Sequence, residues 1–382
     1  MKTRFTNDGS DELENHLERA CGHALTGVQA LVPERKLEAL VLAGGYGRGE
    51  GGVLKTAAGD EPYNDLEFYV FIRGNRLWND HKYSGALRQL GERLSPDASL
   101  HVEFKVDSLP RLRRCPISMF TYDLVARQRV IFGDRNLFIG CENHHVAESI
   151  PLSEAARLLL NRCTGLLLVQ QLLGETTLGA AEVDFIGRNL AKAQLALGDV
   201  ILTVFGQYHW SCSERHSRLA QLAVPEPAPF LAEIRQHHLA GMEFKLHPRR
   251  SARSPDEFRR EHREISALAS GLWLWLESRR LNRPFASAHD YSFNERQKCP
   301  ETSAWRNYLL NVKSFGPKAG FDAMACRYPR ERLFNALPLL LWNGEVAGEP
   351  SVQRHLQKQL QTGASDWTGL VAAYKQAWSG YG

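Results

Sequence analysis

The chain has 382 residues, 43% hydrophobic and 24% charged, which excludes collagenous, disordered and small disulfide-stapled classes. Lys and Arg number 47 against 43 Asp and Glu, a net charge of +4 that lies too near balance for a dedicated polyanion binder. The length allows roughly two to three domains.

The seven cysteines are widely spaced, odd in number and free of any CxxC, as expected for unpaired thiols in a reducing compartment. The first dozen residues are polar and charged, without a secretory h-region. The most apolar windows, Cys163–Gly174 and Ile265–Glu277, fall short of the ~20 residues that span a bilayer. A cytoplasmic location with no membrane partner is expected.

In chain order, Leu37–Ala43 (LEALVLA) reads as a strand running into glycines. Leu66–Ile72 (LEFYVFI) reads as a second strand, rich in aromatic and β-branched residues. An amphipathic helix is expected over Leu77–Leu94. Leu100–Val106 (LHVEFKV) then alternates with the period of a strand. Beyond Pro151 the pattern turns helical. Ser153 is expected to cap a helix whose face carries Ala156, Leu159, Leu160 and Cys163. Further helices are expected over Phe185–Phe205, Pro255–Arg280, Ala304–Phe315, Glu331–Trp342 and the last thirty residues. Ala223–Phe230, with prolines at 225, 227 and 229, and His247–Ser254 read as breaks. The expected class is α+β: residues 1–150 an α/β catalytic domain with a mixed sheet, residues 151–382 mostly helical, with a candidate subdivision near 223–254.

The chemistry concentrates in the first domain. The strand LEALVLA ends in GGYGRGEGG (Gly44–Gly52), where the backbone can approach a ligand closely and offer N–H groups to phosphate oxygens. The cluster is neither GxxxxGK[ST] nor a clean GxGxxG. In the next strand Leu66, Phe68, Val70 and Ile72 form the core face. Asp65 and Glu67 then share the other face, about 7 Å apart. Such a pair repels itself unless a cation lies between, and it offers the hard oxygen ligands Mg²⁺ requires. In HVEFKV the inward Val102, Phe104 and Val106 turn Glu103 to the opposite face, with His101 and Lys105 as neighbours. If the two strands pair, three carboxylates stand beside a glycine loop, a two-metal phosphoryl-transfer layout.

With the strings GGYGRGEGG, NDLEFYVF and HVEFKV, the sequence resembles the nucleotidyltransferase superfamily of polymerase-β-like fold. The GGYGRGE form is most similar to regulatory uridylyltransferases. The resemblance covers Leu37–Val106 and continues more loosely through Thr121–Asp134 and Asn189–His209, the latter similar to the helical domain of antibiotic and protein nucleotidyltransferases. It implies a nucleoside triphosphate substrate with Mg²⁺ or Mn²⁺, transfer of a nucleoside monophosphate to a hydroxyl of a small molecule or protein, and release of pyrophosphate. Asp65, Glu67 and Glu103 would be the catalytic and metal-binding residues. Gly44, Gly45 and Arg48 would bind the nucleotide. Lys192 either reaches the triphosphate, as a basic residue does in similar proteins, or is a solvated helix lysine. The low charge and the lack of a basic-aromatic strip argue against a nucleic-acid acceptor.

Nineteen residues separate Gly45 from Asp65, more than is usual in the family, and the extra segment around Val53–Pro62 is expected to be a loop covering or altering the nucleotide site. The alternative is therefore a nucleotide-binding regulatory module with little or no turnover. Cys141, His144 and His145 fit no zinc spacing. The arginines of Arg111–Arg114 and Arg249–Arg263 are either phosphate contacts or solvated charge. Tyr208 and His209 either line the acceptor cleft or close a helix end, the latter being expected.

Overall fold

The computed structural model describes residues 4–223, 230–250, 253–343 and 349–381. The prolines at 225, 227 and 229 lie outside these residues, as do positions 251 and 252 of the second expected break. The chain divides into two compact units: Met1–Pro151 with Phe205–Leu222 and Met242–Arg249, and Leu152–Val204 with Ala223–Gly241 and Arg250–Gly382. The first boundary falls where the sequence changes character. Two later segments, expected in the helical region, belong instead with the first unit.

The first unit opens with helix α1 (Asp11–Leu31), capped by Ser10, whose side chain accepts from the Leu13 N–H. Three acidic residues in its first turn, Asp11, Glu12 and Glu14, suit the positive end of the helix. Strand β1 (Leu37–Leu42) leads into the short helix α2 (Gly44–Arg48), followed by β2 (Val53–Thr56), β3 (Gly59–Pro62) and β4 (Leu66–Ile72). Helix α3 (Arg76–Ala98), β5 (Val102–Asp107), α4 (Leu109–Leu112), α5 (Met119–Ala126) and β6 (Arg129–Phe132) complete this stretch.

The main sheet is mixed, in the order β5-β4-β1-β6. β1 runs antiparallel to β4 and β6, and β4 runs parallel to β5. Alternation along the strands builds two cores. Leu40, Leu42, Phe68, Val70 and Ile72 pack with Leu13, Leu17 and Val28 of α1 and Leu87 and Leu90 of α3. On the other face Ala39, Val41, Tyr69 and Phe71 pack with Leu109 and Leu112 of α4 and Leu124 and Val125 of α5. Both faces are therefore covered over most of the sheet; the start of β4 and the Glu103–Lys105 stretch of edge strand β5 stay partly open.

The extra segment between the glycines and Asp65 is a two-stranded antiparallel hairpin, β2–β3, and not the expected loop. Asp60 on β3 accepts from the Ser10 N–H at 2.7 Å and from Lys55 at 2.9 Å, which ties the hairpin to the start of α1.

The chain continues as α6 (Leu152–Leu173), α7 (Ala180–Val204), α8 (Cys212–Gln221), α9 (Leu231–Leu246), α10 (Pro255–Arg280), α11 (Ala288–Phe293), α12 (Ala304–Phe315), α13 (Arg330–Trp342), α14 (Pro350–Leu360) and α15 (Trp367–Tyr381). Ser153 lies inside the first turn of α6 instead of capping it, because the helix already begins at Leu152. The core of the second unit gathers α6, α7, α10 and α13. Trp273 on α10 is enclosed by the rings of Tyr291, Phe334 and Trp342, with centroids 5.6–5.7 Å away. Ser254 caps α10 in a reciprocal capping box with Glu257. Among the described residues no helix is long and apolar enough to cross a membrane.

Candidate functional site

The glycine loop is built around one aromatic ring. Tyr46 is buried on α2; its hydroxyl donates to the Gly52 carbonyl and accepts from the Tyr63 N–H, both at 2.9 Å. Burial pushes that hydroxyl up to about 12, so it stays protonated and keeps both bonds at any physiological pH. Asn64 Oδ1 accepts from the Gly52 N–H at 2.7 Å, fastening the far end of the loop to the approach of β4. Gly47 is required by close approach: a Cβ there would lie 2.1 Å from the Leu42 carbonyl oxygen. Gly44 has φ +66°, a left-handed conformation that starts α2 without any side-chain cap.

The sheet brings the carboxylates to this turn. The Ala43 N–H donates to the Glu67 carbonyl at 2.9 Å, so the end of β1 and the start of β4 are locked side by side. A Cβ on Gly44 would lie 3.6 Å from the Glu67 carboxyl carbon. Glu67 and Glu103 are register partners on the parallel strands β4 and β5, which places them on neighbouring strands about 4.8 Å apart on one face. Asp65 is exposed, one residue ahead of β4 and two positions from Glu67.

Two like charges at adjacent positions repel, and here a cation answers them. Lys105, two positions beyond Glu103 on the same face, holds its ammonium 3.0 Å from Glu103 Oε2 and 3.8 Å from Glu67 Oε2. The same Nζ lies 5.8 Å from the centre of the Tyr69 ring. The three charged side chains are 35–44% exposed, so they are reachable from solvent. Among the described residues no group of three His, Cys, Asp or Glu side chains is gathered tightly enough to hold a metal ion. Yet the donor set suits a hard divalent cation: carboxylate oxygens from adjacent strands, two of them already converging on one positive group.

Arg48 does not join this cluster. It pairs with Asp123 at 3.2 Å, and the Tyr208 hydroxyl donates to the same carboxylate oxygen at 3.4 Å. Tyr208 is buried, with the Arg215 guanidinium 5.0 Å from its ring centre. Gly45 forms the base of the loop, its carbonyl accepting from the Glu50 N–H at 2.9 Å. The structure therefore brings together Gly44, Glu67 and Glu103, with Asp65 next in line. Lys192 is exposed on α7, in the second unit.

Two participants carry little sequence signal. Lys105 is on the carboxylate face by alternation, but only the fold shows its ammonium reaching both glutamates. Glu50 is buried and accepts from Ser211 Oγ at 2.6 Å and the Cys212 N–H at 3.0 Å, with Lys245 Nζ at 3.9 Å. Burial acts to raise its carboxyl; Lys245 and the two hydrogen bonds outweigh that and hold it below the usual range. A carboxylate within a glycine run is unusual enough to notice, but its partners lie far along the chain.

Three further candidates, His144, Arg111 and Arg259, make contacts within the protein. His144 is buried with Nε2 2.8 Å from the Leu112 carbonyl and 3.9 Å from Cys115 Sγ. Arg111 pairs with Asp107 at 2.7 Å, and Arg259 with Asp256 at 2.8 Å. Compared with family models, curated proteins and solved structures, the chain matches none.

Proposed function

We propose that the first unit is a nucleotidyltransferase domain of polymerase-β-like fold, which transfers a nucleoside monophosphate from a nucleoside triphosphate to a hydroxyl of a small molecule or protein. The observation that carries this reading is the register of Glu67 against Glu103 on parallel strands, beside the uncapped glycine start of α2. It supports the reading because the chain order matches the family pattern: strand, glycine turn, antiparallel strand with Asp65-x-Glu67, then a parallel strand with a third carboxylate. Asp65, Glu67 and Glu103 would hold Mg²⁺ or Mn²⁺, which supplies positive charge to the phosphoryl oxygens and acidifies the acceptor hydroxyl.

The protein's own groups divide the remaining work. Gly44 and Gly45 let the backbone approach the triphosphate and turn N–H groups toward its oxygens. Glu103 would receive the acceptor proton once Lys105 releases it. Arg48 is neutralised by Asp123, so its part is to hold the loop and to lend a reduced charge. All seven cysteines are free, which supports a reducing, cytoplasmic setting.

A second reading, a nucleotide-binding regulatory module with little turnover, is favoured by one observation: Lys105 puts an ammonium where a catalytic cation is needed. Incubation with labelled ATP, CTP, GTP and UTP plus Mg²⁺ separates the two. Transfer or self-labelling with pyrophosphate release, lost in Asp65→Ala and Glu67→Ala, supports the enzyme. Nucleotide binding without turnover across a broad acceptor screen supports the module. Failure to bind nucleotide or divalent metal rejects both.

A further inference from the structure

Helix α12 (Ala304–Phe315), in the second unit, is turned inside out. Its buried side chains are two asparagines, Asn307 and Asn311, one turn apart. Asn311 Nδ2 donates to the Ala325 and Arg327 carbonyls at 3.1 and 2.7 Å, and its Oδ1 accepts from Arg332 Nε at 3.2 Å. Asn307 Nδ2 donates to the Cys326 carbonyl at 3.1 Å. These bonds fix which side of the helix faces inward. The apolar side is left outside: Trp305 is 69% and Leu309 56% exposed, one turn apart on the outer face. An amphipathic helix of a globular protein ordinarily points its apolar stripe at the core.

The following turn extends the patch. The 3₁₀ turn Pro317–Phe321 packs on α12 through Gly320, where a Cβ would lie 2.9 Å from Tyr308 Oη and 3.1 Å from Val312 Cγ2. Phe321, the next residue, is 91% exposed. Every charged residue from Thr302 to Phe321 is a cation: Arg306, Lys313 and Lys318, all exposed, with no Asp or Glu among them. Helical spacing sets Lys313 one turn beyond Leu309 on the outer face.

Apolar wedges accompanied only by cations select what covers them. A second copy would set the same cations against each other across a two-fold interface. A protein partner would need a pocket shaped for a ring that projects as far as Phe321. A lipid interface needs no such shape: Trp, Phe and Leu enter the acyl boundary while Lys and Arg stay among anionic headgroups. The expectation of no membrane partner rests on the lack of a spanning segment, which attachment of this kind does not need. We propose that the outer face of α12 and the turn after it dock the protein on an anionic membrane surface, with Trp305, Leu309 and Phe321 inserted and Arg306, Lys313 and Lys318 on the headgroups.

The test uses the full chain and sedimentation with two vesicle types, phosphatidylcholine alone and phosphatidylcholine with about 30% phosphatidylglycerol. The protein is expected to pellet with the anionic vesicles and to be released between about 50 and 500 mM NaCl, as headgroup attraction is screened. Trp305→Ser and Phe321→Ser change exposed residues, and each is expected to weaken binding about tenfold, the loss of one partly inserted ring. Lys318→Gln is expected to weaken it about fivefold. Brominated acyl chains should quench the tryptophan fluorescence of the parent protein, and that of Trp305→Phe less. No nucleotide is present, so the result stands or falls apart from nucleotidyl transfer. Failure to pellet with anionic vesicles at low salt, equal binding to neutral ones, or binding indifferent to both ring variants overturns the proposal. Self-association of the parent protein that Trp305→Ser abolishes overturns it too, because the face then belongs to a second copy.

Discussion

Replacing Lys105 with Met exposes what the ammonium does between Glu67 and Glu103. The variant keeps most of the stem and removes the charge. Two half-exposed ion pairs are lost, each worth about 0.2–1 kcal/mol, and two glutamates in register are left to repel by a similar amount. In EDTA the variant should therefore be less stable by about 1–2 kcal/mol, a drop of roughly 2–6 °C in melting temperature. Toward a divalent ion the sign reverses. A +2 ion about 4 Å from an ammonium is repelled by roughly 2 kcal/mol in high dielectric, and Lys105 can relieve part of that by swinging into solvent at the cost of its ion pairs. Removing it should tighten Mn²⁺ binding between about fivefold and thirtyfold, read by calorimetric titration. Mn²⁺ should also restore the stability lost in EDTA. A Mn²⁺ affinity equal to or weaker than that of the parent protein would refute the view that Lys105 occupies a cation position.

Gly47→Ala drives a methyl to within 2.1 Å of the Leu42 carbonyl and should cost about 1–3 kcal/mol in chemical denaturation; an unchanged midpoint would contradict the packing described for the loop. Tyr46→Phe removes the group that joins Gly52 to Tyr63 and leaves the buried Gly52 carbonyl without its donor and the partly buried Tyr63 N–H without its acceptor, a loss of about 1–3 kcal/mol measurable in the same assay. Glu50→Gln tests linkage. The folded carboxyl lies below its unfolded value, so its contribution is present above the ordinary carboxylate pKa of about 4.3 and disappears as pH falls through the folded value. The stability gap between parent and variant should be largest near neutrality and shrink below that pH; a gap independent of pH would show that the charge is not what Glu50 contributes.

Much of the first unit was legible because its signals are local. Alternation alone marks the strand Leu66–Ile72 and divides its residues between two faces, and the same rule places Glu67, Glu103 and Lys105 together once the strands pair. The helix Pro255–Arg280 is announced by Ser254, a proline at its first position and Glu257 three residues past the cap. The helix Asp11–Leu31 lies outside the expected elements, although Leu13, Leu17, Cys21, Ala24 and Val28 form a regular buried stripe behind an acidic first turn. Helix α3 runs through Pro96 to Ala98, beyond the expected Leu94, because a proline in the final turn displaces few hydrogen bonds. What no local signal carries is the return of Phe205–Leu222 to the first unit. It depends on contacts such as Ser211 with Glu50 and Tyr208 with Asp123, between residues far apart in sequence. The placement of the Lys105 ammonium depends on side-chain torsions that spacing does not encode.

The most direct test of the account is turnover. The purified chain is incubated with each α-³²P-labelled nucleoside triphosphate and Mg²⁺, with a panel of hydroxyl-bearing acceptors, and both pyrophosphate and labelled product are followed for the parent protein and Glu67→Ala. The account predicts pyrophosphate release coupled to labelled product with at least one triphosphate, abolished in the variant. A parent protein that binds neither triphosphate nor divalent metal would contradict it.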